Sequence, residues 1–442
     1  MIKYFLISIG LILFSSVLQA AELITGINIR SQHLELMLFF MSYIVLFVGM
    51  IRYDVILTSY ISRLDFALIS LMIFWFIVNI IRSIDIPLSN LSTLPRFLGG
   101  RFYTPALLVP LFVFLGSNIH IIKSSWELSK TSLYVFLIFS PLLFVYNVGI
   151  LMAFIGLLPI MILNYDKLTK REVFLVATVL AVRLLFSLVH GARTEFVRLS
   201  FYLIVALLFV NRNVFKNTVR INVLGIVLIF FLFASFLYVY SGNLSKHFTN
   251  PEFVESIKSY EKDNLNPDSR SMVYDDFVDD FQNWKDILFG RGALGTTYSP
   301  QYIILQEISG TKENIFRFPP GYRLEVESGY LQIILKTGLI GLILFVVISF
   351  RAIYFGIFKS KNTFTMMVSI IILERFPTMI SFGLPEYSLD YILFWLSIGV
   401  CVSEKIRSIS NVEIYFYLKS SKYYRPKFVT LPNFSEQIPA TK

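Results

Sequence analysis

The sequence predicts an all-α protein, a polytopic helical bundle of about twelve membrane-spanning helices that carries one large, partly helical loop. Three observations carry this. Of 442 residues, 56% are apolar or aromatic and 15% charged, against roughly 45–50% and 25% in soluble domains, and the mean hydropathy is +0.68. The apolar residues arrive in blocks of about 20, the length a helix needs to cross a bilayer. Lys and Arg alternate in density between successive inter-block segments, as the positive-inside rule requires.

Candidate spans fall near 4–21, 33–51, 64–81, 105–122, 131–146, 149–164, 172–190, 194–210, 220–241, 328–350, 362–380 and 386–402. The first has the outline of a signal peptide: Lys3, an apolar stretch, then the small-residue end Gln19-Ala20-Ala21. Because eleven spans follow and insertion needs a start, it is read as an uncleaved helix. The run 131–164 is long for one helix, and Asn147 and Gly149 supply a turn at its middle, so it is read as a hairpin. With a cytoplasmic N-terminus, the inner segments hold 21 of the 39 Lys and Arg and the short outer loops five. Merging the hairpin into one span would invert every later loop and abolish that bias. The net charge of +10 is therefore orientation chemistry and does not imply nucleic acid. The single cysteine, Cys401, excludes an intrachain disulfide framework, and four scattered histidines argue against a His-rich metal centre.

The chain divides into nine helices over 1–241, a large periplasmic loop over 242–327, three helices over 328–402 and a cytoplasmic basic and aromatic tail over 403–442. No internal repeat of the kind many transporters carry is visible. The loop holds 14 of the 29 acidic residues, and a segment this long is usually functional or a small domain. Asn250-Pro251-Glu252 is a helix-start signal. From Ser269, the residues Val273, Phe277, Phe281, Trp284 and Leu288 recur every three or four positions. That periodicity predicts one amphipathic helix closed by Gly290, with Asp275, Asp276, Asp279 and Asp280 on a solvated face. The tail, with Tyr415, Phe416, Tyr417, Tyr423 and Tyr424, suits contact with the inner leaflet.

Ionisable residues inside spans are costly and mark function by default. Arg183, Arg198, Lys336, Glu374 and Arg375 fall within spans, all but Arg183 toward the outer side, and His190 and Arg193 sit on the outer turn joining spans seven and eight. This predicts a cationic cavity open to the outer face; the blander readings are snorkelling for Arg198 and Lys336 and an interface anchor for Arg193. Glu374 and Arg375 are adjacent, hence on different helix faces, so each needs a partner elsewhere; Arg183 is a candidate for Glu374. Three patterns carry little. Gly290, Gly292 and Gly295 match G-x-G-x-x-G, but a helix precedes them where the nucleotide fingerprint needs a strand. The paired aspartates, able in principle to hold Mg²⁺, read as a solvated face. His120 and His247 have no ligand-spaced partners.

The stretch Glu327-Ser328-Gly329-Tyr330-Leu331-Gln332, followed by Lys336, Gly338 and Gly341, resembles the signature of the O-antigen polymerase and O-antigen ligase superfamily. Gly191-Ala192-Arg193-Thr194 is similar to that family's small-residue-plus-Arg turn, and Ser269-Arg270 with Trp284 and Gly290-Arg291-Gly292 to its loop segment. The specific resemblance covers about 172–350. One departure separates the branches: ligases have His-Asn where this chain has Glu327-Ser328, which favours polymerase. The resemblance implies an enzyme of the bacterial inner membrane that joins glycan repeat units carried on undecaprenyl diphosphate at the periplasmic face. It implies no metal or nucleotide-sugar cofactor. The implied partners are lipid-linked donor and acceptor glycans, membrane lipid, a chain-length regulator and a flippase.

The residue chemistry is compatible with that. A lipid diphosphate needs cations, and the guanidinium fork binds phosphate oxygens in a bidentate way. Diphosphate is a good leaving group, so the acceptor hydroxyl needs a general base more than the donor needs an acid. The expected assignments are Glu327 as base with Glu325 as runner-up, Arg193 and Arg270 on the diphosphate, and Arg291, Arg323 and Arg198 as further phosphate or sugar contacts. Tyr298, Tyr302, Tyr322 and Tyr330 can stack on sugar faces. A macrodipole-favoured charge is the bland reading of Glu327. Two other functions stay open: a ligase that moves finished polymer, and a lipid-oligosaccharide flippase or other transporter.

Overall fold

Where no water reaches the backbone, a helix is the structure that pairs every N–H and C=O within one segment, and the long apolar stretches among the described residues are helical. The computed structural model describes residues 1–25, 31–56, 60–89, 91–146, 153–189, 193–210, 269–300, 318–326, 328–381 and 385–419. Helices α1 (Ile2–Thr25) and α2 (Ser31–Arg52) pack side by side, and α3 (Arg63–Ile81) follows. The start of α3 is fixed by Ser62, whose hydroxyl accepts the Asp65 N–H at 3.2 Å. Short helices come next: α4 (Asp85–Ser89), α5 (Leu94–Gly99), α6 (Thr104–Leu108) and α7 (Phe112–Gly116). Helices α8 (Ile119–Tyr146), α9 (Leu158–Leu163), α10 (Lys170–Val189) and α11 (Arg193–Val210) complete the first half.

The described part of the large loop holds α12 (Ser269–Asp280), α13 (Trp284–Phe289) and a two-stranded antiparallel ladder, β1 (Thr297–Tyr298) with β2 (Tyr322–Arg323). The chain then forms α14 (Gly329–Phe358), α15 (Thr363–Ser381), α16 (Leu389–Val402), α17 (Glu404–Ser408) and α18 (Asn411–Lys419). The three long helices pack on one another. Their centre is aromatic, with Phe345 of α14 stacked 5.5 Å from Phe394 and edge-on 5.9 Å from Trp395 of α16. Helix α7 meets α16 backbone to backbone: a Cβ on Gly116 would fall 2.1 Å from the Leu396 carbonyl oxygen.

Six helical stretches among the described residues are long and apolar enough to cross a membrane: Ile2–Glu22, Leu34–Arg52, Arg63–Ser89, Leu94–Gly116, Gly329–Phe358 and Thr363–Ile380. Ala153–Leu163, Val197–Ala206 and Leu389–Val402 are shorter apolar helices. Phe14, Met37, Phe74, Ile138, Phe174 and Ile343 stand exposed on this surface while Arg198, Lys336, Glu374 and Arg375 are buried. An apolar exterior around charged groups is the expected inversion for a bundle in lipid.

Four expectations are corrected. The fourth span is not one helix over 105–122, because Pro95, Pro105 and Pro110 each sit at the start of a helical segment and restart the chain. The fifth does not begin at 131: α8 starts at Ile119, and Lys123–Lys130, expected as a loop, is helical. Hydroxyls of Ser124, Ser125 and Ser129 bond the carbonyls four residues back, and Lys130 pairs with Glu127 at 2.9 Å and with Glu172 at 3.0 Å. The loop helix is two helices, since Asn283 caps a new start by accepting the Lys285 N–H. The aspartate face is only half solvated: Asp275 and Asp279 are exposed, whereas Asp276 accepts from Ser299 and Asp280 from Arg291. The ninth span, the 250–252 start signal, the hairpin turn, His190, His247 and the tail beyond 419 lie outside the described residues. Within the tail, Ile414, Tyr417 and Leu418 are buried, and the Tyr417 hydroxyl lies 2.6 Å from His120 Nδ1.

Candidate functional site

The site is assembled at the end of the bundle where α14 begins, and its foundation is a break in that helix. Gly338 has φ 69° and ψ −174° in the middle of α14, so the carbonyls before it lose their helical partners. The loop after α13 replaces them. The Arg291 N–H donates to the Leu335 carbonyl at 2.7 Å and the Gly292 N–H to that of Lys336 at 3.2 Å. Trp75 Nε1 of α3 donates to the Thr337 carbonyl at 2.7 Å. The fit leaves no room for a side chain: a Cβ on Gly338 would lie 2.2 Å from the Leu288 carbonyl oxygen. Arg82 at the end of α3 clamps the same loop, donating to the carbonyls of Phe289 and Gly290 at 2.9 and 3.1 Å. The glycine-rich stretch is thus a backbone plug.

Arg291 shows where sequence position misleads about surroundings. Its guanidinium donates to Asp286 at 2.9 Å, to the Asp280 carboxylate, to the Asp280 carbonyl at 2.9 Å and to that of Thr296 at 2.8 Å, and it stacks 4.5 Å over Phe281. It staples α12, α13 and the β1 strand together. Arg323 is buried in β2 opposite Thr297. Tyr298 and Tyr322 face each other across the ladder with rings 5.3 Å apart. The Tyr330 hydroxyl donates to the Phe376 carbonyl at 2.7 Å, beside Ser328, which donates to that of Met379 at 3.2 Å. Arg193 opens α11 and Arg270 is the second residue of α12; Glu327 and Tyr302 lie outside the described residues.

Two charged clusters occupy this end. In the first, Arg198 of α11 meets Glu374 of α15 at 3.2 Å and also bonds Asp390 of α16, whose other oxygen accepts from Arg375 at 2.6 Å. Tyr202, one turn after Arg198, donates to Glu374 at 2.5 Å. Both members of the adjacent Glu374–Arg375 pair therefore find separate partners. The expected pairing of Glu374 with Arg183 is corrected: α11 is a neighbour of α15, and its Arg198 and Tyr202, four apart on one face, both reach the carboxylate. Arg198 and Lys336 are buried inside the bundle, so neither snorkels.

The second cluster surrounds Glu325, three residues ahead of the α14 cap. Burial pushes its carboxyl above the ordinary value of 4.5, opposed by the charges of Lys336 and Arg101 and by a hydrogen bond with Tyr103, while Glu386 adds to the rise. Glu386 lies 3.8 Å from Arg101, and its carboxyl is raised by burial too. Lys336 Nζ donates to the Gly295 carbonyl at 3.1 Å, 5.9 Å from the Tyr103 ring. A crevice of about 10 Å³, room for roughly one water, lies beside Lys336 between α3, α6, α14 and α16. The Asp390, Glu386, Arg101 and Tyr103 contributions were missed from sequence. The charged turn Pro385-Glu386-Tyr387-Ser388-Leu389-Asp390 was the available signal, and a first-turn acid there reads as helix-dipole chemistry.

Comparison with known protein families, curated proteins and solved structures yields no match.

Proposed function

We propose that this chain polymerises polyprenyl-diphosphate-linked glycan repeat units, and that the loop end of the bundle faces the extracytoplasmic side of a bacterial inner membrane. The observation that supports this best is Glu325: a carboxyl raised by burial, at the junction of the folded loop and α14, within the field of Lys336 and Arg101. A base poised above the usual carboxylate range is the group that glycosyl transfer from a diphosphate requires. Glu325 takes the proton of the acceptor sugar hydroxyl as its oxygen bonds the donor's anomeric carbon. The bond from that carbon to the diphosphate oxygen breaks, its electron pair leaving with the diphosphate, and Glu325 later returns the proton to water. Glu325 is the proposed base, Glu327 lying outside the described residues, and Arg193 and Arg270 remain the proposed diphosphate contacts. Arg291 and Arg198 are committed to carboxylates and serve the scaffold.

The test is the glycan profile of cells lacking the chain, complemented with wild type, Glu325→Gln or Glu327→Gln. A deletion that leaves single repeat units, with the ladder restored by wild type and by Glu327→Gln but not by Glu325→Gln, is the expected result. Untransferred long polymer in the deletion would instead make the chain a ligase. Single units retained on the cytoplasmic face would make it a transporter.

A further inference from the structure

The short helix α13 belongs to the large loop but is seated at the depth of the spans. Asp65 and Arg351, 2.6 Å apart, hold α3 and α14 at one level, and α3 begins at Arg63, so this pair marks one edge of the apolar zone. Trp75 stands ten residues beyond Asp65, and Gly338 thirteen residues before Arg351. Along the helices these are about 15 and 20 Å at 1.5 Å per residue, within a hydrocarbon layer about 30 Å thick. The end of α13 lies at that depth. The Phe289 ring is 6.0 Å from that of Trp75, and the Leu288 carbonyl packs on Gly338. Below the loop α3 is bare: Leu71 and Leu64, four and eleven residues before Trp75 and so on its face of the helix, are exposed.

Backbone at such depth must find its partners in protein, and this stretch does. The N–H groups of Arg291 and Gly292 meet α14 carbonyls, and the carbonyls of Phe289 and Gly290 meet Arg82. The Arg291 charge is matched by Asp280 and Asp286. On its outer face α13 shows Trp284 and Leu288, four apart, 59% and 38% exposed. Lys285, whose amine is 5.9 Å from the Trp284 ring, has the long stem that lets a cation reach headgroups beside an interfacial Trp. The exposed acids Asp275 and Asp279 are one helix earlier, on α12.

We propose that α13 is inserted in the lipid at the loop end of the bundle, with Trp284 and Leu288 against acyl chains just beneath the headgroups. The partner is the bilayer itself. Two observations argue for it: the depth of the seat in α14, and continuity with the exposed apolar surface of α3. Neither depends on the polymerase reading. The loop is then held twice, by backbone bonds to the broken helix on one side and by lipid on the other, while α12 and its exposed aspartates stay in water.

The experiment reads tryptophan fluorescence of the full chain reconstituted into phosphatidylcholine vesicles. The chain has four tryptophans. Subtracting the spectrum of Trp284→Phe, which keeps an aromatic ring in place, isolates Trp284, because Trp75, Trp126 and Trp395 are common to both proteins. The expected component is blue-shifted, falls about twofold or more when the acyl chains are brominated near the headgroup, and changes little with aqueous acrylamide, as for a ring in the membrane interface. Strong quenching by acrylamide without quenching by brominated lipid puts Trp284 in water and overturns the proposal. Quenching by neither puts protein over this face, a second copy of the chain, and overturns it as well. A second variant guards against loss of folding in the first. Cys401 is buried, so Leu288→Cys adds an accessible thiol for a nitroxide label. That label should be reached more by dissolved oxygen than by a water-soluble nickel chelate, and the reverse order overturns the insertion. Both readings are made without glycan synthesis, so their failure leaves the polymerase reading standing, and a missing glycan phenotype leaves α13 in the lipid.

Discussion

At the scale of single residues, Glu325 carries a prediction with a definite sign. Its carboxyl titrates higher in the folded protein than its ordinary 4.5, chiefly because of burial. Between those two values the folded state binds more protons than the unfolded one, so this group makes stability fall as pH rises through that window. Glu325→Gln should therefore flatten that fall in a detergent unfolding series at pH 4 to 8 while abolishing glycan polymerisation. A Gln variant whose unfolding midpoint keeps the wild-type pH dependence would mean that Glu325 is not the buried titrating group. Residue type and position made some of this legible. Adjacent Glu374 and Arg375 announced that each needed its own partner, and Lys336 announced itself as a charge in an apolar helix. The partners were not legible, because Asp390 and Glu386 are contributed by a turn that approaches them only once α15 and α16 have packed. Arg291 failed for the same reason: nothing in its neighbours' spacing says that Asp280 and Asp286 will converge on it.

At the scale of elements, the break in α14 explains why the loop is held where it is. A helix interrupted at Gly338 offers carbonyls of residues 335 to 337, and the loop and Trp75 offer the N–H donors that meet them. Gly338→Ala places a Cβ on a positive-φ position and 2.2 Å from the Leu288 carbonyl oxygen. It should cost roughly 2–4 kcal/mol, as strain and lost hydrogen bonds together, with limited proteolysis cutting first between α12 and β1. Trp75→Phe removes one donor and keeps most of the ring, so its cost should be nearer ~1 kcal/mol. Cutting that begins elsewhere would show that the break does not anchor the loop. Hydropathy read the presence of long apolar helices and of a structured loop well, because both follow from composition and period. It misread 105–130, where prolines subdivide one apolar run and serine back-bonding with charged pairs carries helix through a polar one. Block length registers neither effect.

At the scale of the whole molecule, the buried cluster of Arg198, Glu374, Arg375 and Asp390 ties α11, α15 and α16 together with two charges of each sign. Desolvation makes such a cluster weak evidence for stability, while removal of one member leaves its partner buried and uncompensated at about 3–5 kcal/mol. Arg198→Met alone takes from Glu374 its guanidinium partner and leaves it the Tyr202 hydroxyl, and Glu374→Met alone takes from Arg198 one of its two carboxylates, Asp390 remaining, and deprives the Tyr202 hydroxyl of its acceptor. Each single variant should therefore be strongly destabilised. The double variant should recover about 1–3 kcal/mol relative to the sum of the two, within the range of contacting pairs. Activity discriminates the roles: if the cluster is scaffold, the double variant regains glycan polymerisation along with stability, because no group that touches substrate has been removed. A double variant that is as stable as wild type but makes only single repeat units would place Arg198 on the substrate instead. The same cycle on Arg291 and Asp286 should couple the loop's own staple without moving the helix cluster, since Arg291 pairs with Asp280 and Asp286 whereas Arg198 pairs with Glu374 and Asp390. Coupling between the two cycles would mean that loop seating and helix packing form one cooperative unit, with the broken helix α14, which packs against both α13 and α15, as the element that transmits it.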